Sequence, residues 1–280
     1  MTIKITSDST CDLAPWILRD FDISLIPLYI IKGGHVYRDG VDITPPEIFR
    51  HVEKTGEFPS TAAVNPYDYD VHFEKFAAQY GAVIHISIGS GFSMCWQNAA
   101  EAAKRYKNVF VFDSKNLSSG QGHLVLEAAR MARNGALPDE ILKRLYVMRD
   151  KVETSFLIDR LDYIFKGGRC SLATAIGANI MHLRTCVEVS GGKMVVKKKY
   201  RGSFESAVSS YVRDRLGGRR DLNLSTVFVT HTQAPIAAVQ AARNAILQEA
   251  EFVRVIETRA GCTVSCHCGP RTLGILFMTE

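Results

Sequence analysis

A chain of 280 residues, 46% hydrophobic and 22% charged, carries enough apolar side chains for a sizeable core and is long enough for two domains. No apolar run approaches the ~20 residues that a membrane-spanning helix needs. The opening MTIKITSDST alternates like a strand where a signal peptide would be continuously apolar, so a cytoplasmic location is expected.

The net charge of +5 is unevenly spread. From Thr154 onward there are 17 Lys and Arg against 10 Asp and Glu, and the runs KKKYR (197–201) and RDRLGGRR (213–220) hold much of the excess. Such runs suit solvated surface, an acidic partner or anionic head groups. Neither has the interleaved aromatics of a nucleic-acid reader, so no nucleic acid is expected.

The chain alternates strands and helices. Strand Ile3 to Ser7 leads through DSTCD to a helix from Leu13, and Ile23 to Ile31 reads as one buried strand ending at Gly33 and Gly34. A helix near Glu47 to Lys54, the loop GEFPSTAAVNP and a helix from Tyr67 follow. Then come strand AVIHISI, helix CWQNAAEAAKRY, strand NVFVFDS and the Gly-punctuated helix SSGQGHLVLEAARMARNG. This spacing predicts a mainly parallel sheet covered on both faces, over residues 1–153.

A second α/β unit is expected over residues 154–280. It begins with a strand and helix in TSFLIDRLDYIF, then a Gly-Gly-Arg corner and another helix. CVEVSGGKMVVKKKY reads as a hairpin turning at Gly191 and Gly192, followed by a helix from Phe204 to Leu216. Strand STVFVTH, helix APIAAVQAARNAILQEA and strands FVRVIET and TLGILFM complete a mixed sheet. With no Pro-rich linker between them, the two α/β domains should pack closely and leave a cleft.

Seven cysteines, an odd number, with five of them spread singly, argue against a disulfide framework. Cys266, His267 and Cys268 read as one extended strand, on which neighbours point to opposite faces, and no CxxC stands elsewhere; no metal is expected.

The corner after AVIHISI carries the chemistry. In an open α/β sheet, ligands collect at the carboxyl ends of strands, where helix N-termini present free N–H groups. Ser90, Gly91 and Ser93 lie at such an end. Ser93 stands where a helix N-cap belongs, so its hydroxyl serves as a cap, faces a bound anion or carbonyl, or acts as a nucleophile. GFSMC lacks the last glycine of the G-x-S-x-G elbow, which weighs against the third role.

SDSTCDL, IPLYI with YRDGVDI, FPSTAAVNP, ISIGSGFSMCWQNA, FDSKNLSSGQG, YIFKGGRCS and HCGPRTLGILF, in this order and across nearly the whole chain, resemble the DegV family. The resemblance implies two α/β domains with a lipid site between them, as in the FakB subunits of bacterial fatty acid kinase. It implies a long-chain fatty acid as ligand, no cofactor, and no catalysis by this chain. A separate ATP-dependent kinase subunit would phosphorylate the carboxylate to an acyl phosphate for phospholipid synthesis, with transient contact to a membrane surface.

Residue by residue, the resemblance puts Thr61, Ser93, Arg169 and His267 at the carboxyl end and Arg201 toward the partner or the phosphate. Phe92, Met94, Ile176 and Ile180 are candidates for the acyl tunnel. Each head-group residue has a plainer role open to it: Thr61 ending a loop, Arg169 capping a helix or pairing with a carboxylate, His267 as a satisfied core imidazole. The chain departs from the family pattern at Ala62, Met94, Cys95 and Arg271. The alternative function is a serine-dependent acyl hydrolase or transferase using Ser93 and His267.

Overall fold

The structure, a computed structural model, describes residues 2–167 and 183–280. Its first sheet is parallel, in the order β2-β1-β6-β7, from β1 (Ile3–Asp8), β2 (Ser24–Ile26), β6 (Ala82–Ser87) and β7 (Val109–Asp113). Every residue of β6 is buried, and its pleat sends Val83 to a core with Tyr69 and Phe73, and Ile84 and Ile86 to a core with Ile5, Phe112 and Leu124. Helices α3 (Pro66–Ala77) and α4 (Cys95–Ala103) supply the first core, and α1 (Pro15–Asp20), α5 (Ser118–Arg133) and α6 (Pro138–Arg149) the second.

The second sheet is mixed and six-stranded, in the order β10-β9-β8-β13-β11-β12. It comprises β8 (Val152–Ile158), β9 (Arg184–Ser190), β10 (Lys193–Tyr200), β11 (Leu222–Thr232), β12 (Val255–Arg259) and β13 (Thr272–Thr279). Only β11 and β12 pair in parallel; the rest are antiparallel. Helix α8 (Phe204–Leu216) takes the bounds its periodicity predicts, with the Ser203 hydroxyl accepting from Ser206 N at 3.2 Å as N-cap. It packs with α9 (Ile236–Glu249) over Val227, Val229, Ile275 and Phe277.

Helix α5 joins the two units. Gln121 Nε2 donates to Ser7 Oγ (2.9 Å) and Ile86 O (3.1 Å) of the parallel sheet. On its other side Ser119 Oγ meets Thr230 Oγ1 (2.5 Å) and Thr258 Oγ1 (3.0 Å) of the mixed sheet. The SSGQG segment is shaped by this double burial: a Cβ on Gly120 would stand 2.1 Å from Thr154 Oγ1, so only glycine lets helix and strand approach this closely.

Three expectations are corrected. Ile23 to Ile31 is not one strand: Pro27, which has no N–H to donate to a ladder, separates β2 from β3 (Tyr29–Lys32). The latter is the centre of a small antiparallel sheet, β4-β3-β5, with β4 (His35–Arg38) after the Gly33–Gly34 turn. Its third strand, β5 (Ser60–Ala62), lies inside the segment read as loop, because a long-range partner and not its own propensity makes it extended. The CHC triplet ends a helix, α10 (Cys262–Cys268), rather than lying on a strand, so facing directions on a strand say nothing about metal binding. Among the described residues no group of three or more His, Cys, Asp or Glu side chains is arranged to hold a metal ion.

The basic runs are largely paired within the second unit. Lys198 meets Asp214 at 2.5 Å, Arg215 bridges Glu153 and Glu188, and Arg219 bridges Glu153 and Asp221. Among the described residues no helix is long and apolar enough to cross a membrane.

Candidate functional site

The corner from Gly89 to Ser93 is held by spent polar groups. Gly89 N donates to Asn116 O (2.7 Å), Phe92 N donates to Gly89 O (2.8 Å), and Ser90 uses both its N–H and hydroxyl on Asp113 at 3.0 and 2.6 Å. Beneath it Asp8 is fully buried, accepting from Tyr69 OH (2.5 Å), Ser87 Oγ (2.7 Å) and Ile88 N (2.8 Å), with His85 Nε2 at 3.2 Å. Burial opposes its charge, but the contacts with His85, Tyr69 and Ser87 together hold the Asp8 carboxyl below its ordinary value.

Ser93 is thereby left at the mouth of the corner. Helix α4 starts at Cys95, where it was expected, but its N-cap residue is Met94 and not Ser93; Ser93 Oγ accepts from Cys95 N at 3.3 Å and lies 3.2 Å from Cys95 Sγ. Burial pushes the Cys95 thiol up to about 12, so it stays neutral and unreactive beside the serine.

Thr61 arrives on β5 and His267 on α10, 206 residues apart in sequence, with Thr61 Oγ1 and His267 Nε2 at 2.8 Å. Gly167, at the end of α7 (Leu161–Gly167), presses its backbone against the imidazole: a Cβ there would lie 2.4 Å from His267 Nδ1. Thr61, Ser93 and His267 all line one cavity with Phe92, Leu117 and Val264. A second cavity shares Leu117, Val264 and Cys268 with the first and continues to Phe156, Thr230 and Leu276. Its threonines are tied up internally, Thr154 on Asn116 Oδ1 (2.7 Å) and Thr272 on Cys268 O (2.7 Å), which leaves an apolar surface. Three polar groups at one end of an apolar passage suit a ligand with a polar head and a hydrocarbon tail.

A model of the DegV family, described as uncharacterised protein, matches residues 2–280. The chain belongs to the DegV family. It is 28% identical over 283 residues to the fatty acid-binding protein of Thermotoga maritima, covering 98% of this chain and 96% of that one. Its fold matches that of a DegV family protein from Thermus thermophilus described for fatty acid binding, with TM-score 0.91, 24% identity and full coverage of both chains. It also matches the Streptococcus pneumoniae fatty acid kinase B3 protein loaded with linoleic acid, with TM-score 0.86, 18% identity and full coverage of both chains. Fatty acid binding thus occurs among the DegV proteins that share this fold.

Of the residues expected at the head group, Thr61, Ser93 and His267 meet at one cavity; Arg169 lies outside the described residues, as do the tunnel candidates Ile176 and Ile180. Phe92 lines the cavity. Met94 does not: it is 57% exposed at the start of α4, with an ordinary backbone (φ −75°), so this departure from the family pattern is absent from the cavity lining. Arg271 adopts φ +60°, a region glycine enters at no cost, and its Nε pairs with Asp159 Oδ2 at 3.0 Å. Arg201 is exposed between β10 and α8, apart from the cavity lining.

Leu28, Leu117, Met194, Thr263 and Val264 were not singled out in the sequence, though each lines the cavity. Asp12 and Asp39 were also passed over, although both fall in DegV-like motifs. Asp12 Oδ1 accepts from Gly261 N (2.8 Å) and Oδ2 from Ser118 Oγ (2.6 Å). Burial pushes the Asp12 carboxyl up to about 7, against the hydrogen bonds from Ser118 and Gly261 and with help from the nearby Asp39. A carboxyl whose folded value lies above its ordinary one contributes stability that is complete below about pH 4 and lost as pH rises through about 7. The melting temperature of the wild type should therefore fall, relative to that of Asp12→Asn, between about pH 4 and about pH 7. Melting curves of the two proteins that run parallel over this range would contradict the assignment.

Proposed function

We propose that this protein holds a long-chain fatty acid in the joined cavities and presents its carboxylate to a separate ATP-dependent kinase subunit, which converts it to an acyl phosphate for phospholipid synthesis. The observation that carries the reading is the convergence of Thr61, Ser93 and His267 on the polar end of an apolar passage. Burying each methylene is worth ~0.8 kcal/mol, so a long chain supplies roughly 10 kcal/mol before ordering costs. The hydroxyl and imidazole groups add about 1–3 kcal/mol each and decide which end of the lipid faces out.

Arg169 would complete the head-group shell with a bidentate donor. The kinase partner rests on the likeness to the fatty acid kinase B3 protein and on the exposed arginine at 201.

The hydrolase reading has less support. His267 Nε2 meets Thr61, while the Ser93 hydroxyl meets Cys95, so serine and imidazole do not form the nucleophile–base pair that acyl transfer requires. Mass spectrometry of lipid extracted from protein purified from a bacterial host tests the carrier reading. About one long-chain fatty acid per chain is expected. Well-folded protein that yields no acyl chain, and whose melting temperature does not respond to added fatty acid, would refute it.

A further inference from the structure

His267 stands on a helix of only seven residues, too short to hold its own orientation without anchors. One anchor is the Thr61 contact near its carboxyl end. A second is Asp39, in the turn after β4 and only 4% exposed.

Asp39 Oδ1 accepts from Cys262 N at 2.7 Å, and Oδ2 accepts from Thr263 N at 3.1 Å, Thr263 Oγ1 at 2.7 Å and Ser9 Oγ at 3.0 Å. Two of the unpaired N–H groups that open α10 are thereby satisfied. Asp39 is itself fixed: its N–H donates to Leu28 O at 2.8 Å, and Leu28 N donates to Ser9 Oγ at 3.2 Å. Cys262 Sγ adds a contact to Ile43 O at 3.1 Å.

Thr61 lies on the small sheet and Asp39 directly follows it. Thr61 pairs with Ile30 across β5 and β3, and β3 continues through its hairpin into β4 and Asp39. The sheet therefore grips α10 at its first turn and at its penultimate residue. A slip of one residue at the first grip would turn the helix by about 100° and carry the imidazole off the cavity wall.

We propose that Asp39 is a positioning residue: by clamping Cys262 and Thr263 it sets the rotation of α10, and so aims His267 at the ligand carboxylate. The proposal rests on the fatty-acid reading for its ligand, not for its geometry.

The test compares wild type, Asp39→Asn and Thr263→Val in the full chain. Asp39→Asn keeps the shape and one acceptor oxygen but turns an amide NH₂ toward a backbone N–H; Thr263→Val removes one donor and keeps the clamp's backbone bonds. Affinities for hexadecanoic acid and for its methyl ester are measured together with the ring resonances of His267 in the lipid-free protein.

Asp39→Asn should weaken acid binding by about 5- to 100-fold while ester binding changes by less than about 2-fold. The His267 ring resonances should shift, with smaller effects of the same kind in Thr263→Val. Equal losses for acid and ester, or unchanged ring resonances in Asp39→Asn, would overturn the clamp. A wild type that binds neither ligand would refute the fatty-acid reading, and the ring resonances would still decide the clamp.

Discussion

Val264→Trp should leave the protein without long-chain lipid. Val264, on α10, is one of three residues shared by the two cavities, so an indole there fills the neck between head-group end and tail end. A chain forced to leave about eight methylenes in water forfeits ~6 kcal/mol, roughly four orders of magnitude in dissociation constant. Overpacking itself costs about 1–3 kcal/mol, which a domain of this size survives. Octanoic acid, with far fewer methylenes to place beyond the neck, should lose much less affinity than hexadecanoic acid. Titration calorimetry with both acids makes the comparison, and hexadecanoic acid bound at wild-type affinity would show that the tail takes another path.

Arg201→Ala should separate carrying from presenting. Arg201 is exposed in the short connection from β10 to the N-cap Ser203 and is absent from the cavity lining, so lipid occupancy and melting temperature should stay at wild-type values. Neighbouring Lys198 and Arg215 are engaged with Asp214, Glu153 and Glu188 and are poorly placed to offer their charge to a partner. Losing an arginine that contacts an acidic partner or the transferring phosphoryl group costs about 2–5 kcal/mol, some 30-fold or more in acyl-phosphate formation with the cognate kinase. The wild-type rate should fall with added salt as the encounter is screened. An unchanged kinase rate, or an equal loss of bound lipid, would remove Arg201 from the interface.

Local signals were legible wherever a short segment decides its own structure. The turn at Gly191 and Gly192 sits where the hairpin was expected, with both residues at positive φ, and α8 runs from its serine cap to Gly217. Strand β6 was legible as AVIHISI, and the serine corner followed from the strand ending there. Ser93 was found by this route, as a polar residue at the carboxyl end of a parallel strand. Thr61 and His267 were reachable only through resemblance to the DegV family, since neither has a local pattern that distinguishes it from a loop threonine or a core histidine.

What the sequence by itself determined is the class of the fold: periodicity, caps and glycine turns depend on a few neighbouring residues, and two α/β units with a parallel and a mixed sheet follow from them. Only the tertiary structure decided which distant groups meet. It split Ile23 to Ile31 between two sheets, made a strand of Ser60 to Ala62 by giving it a partner, and put the CHC segment on a helix. It also brought Asp39 to the first turn of that helix and Thr61 to its histidine. The reason is that a buried polar group needs a partner but does not specify from where along the chain that partner comes; the packing of the sheets around α5 makes the choice.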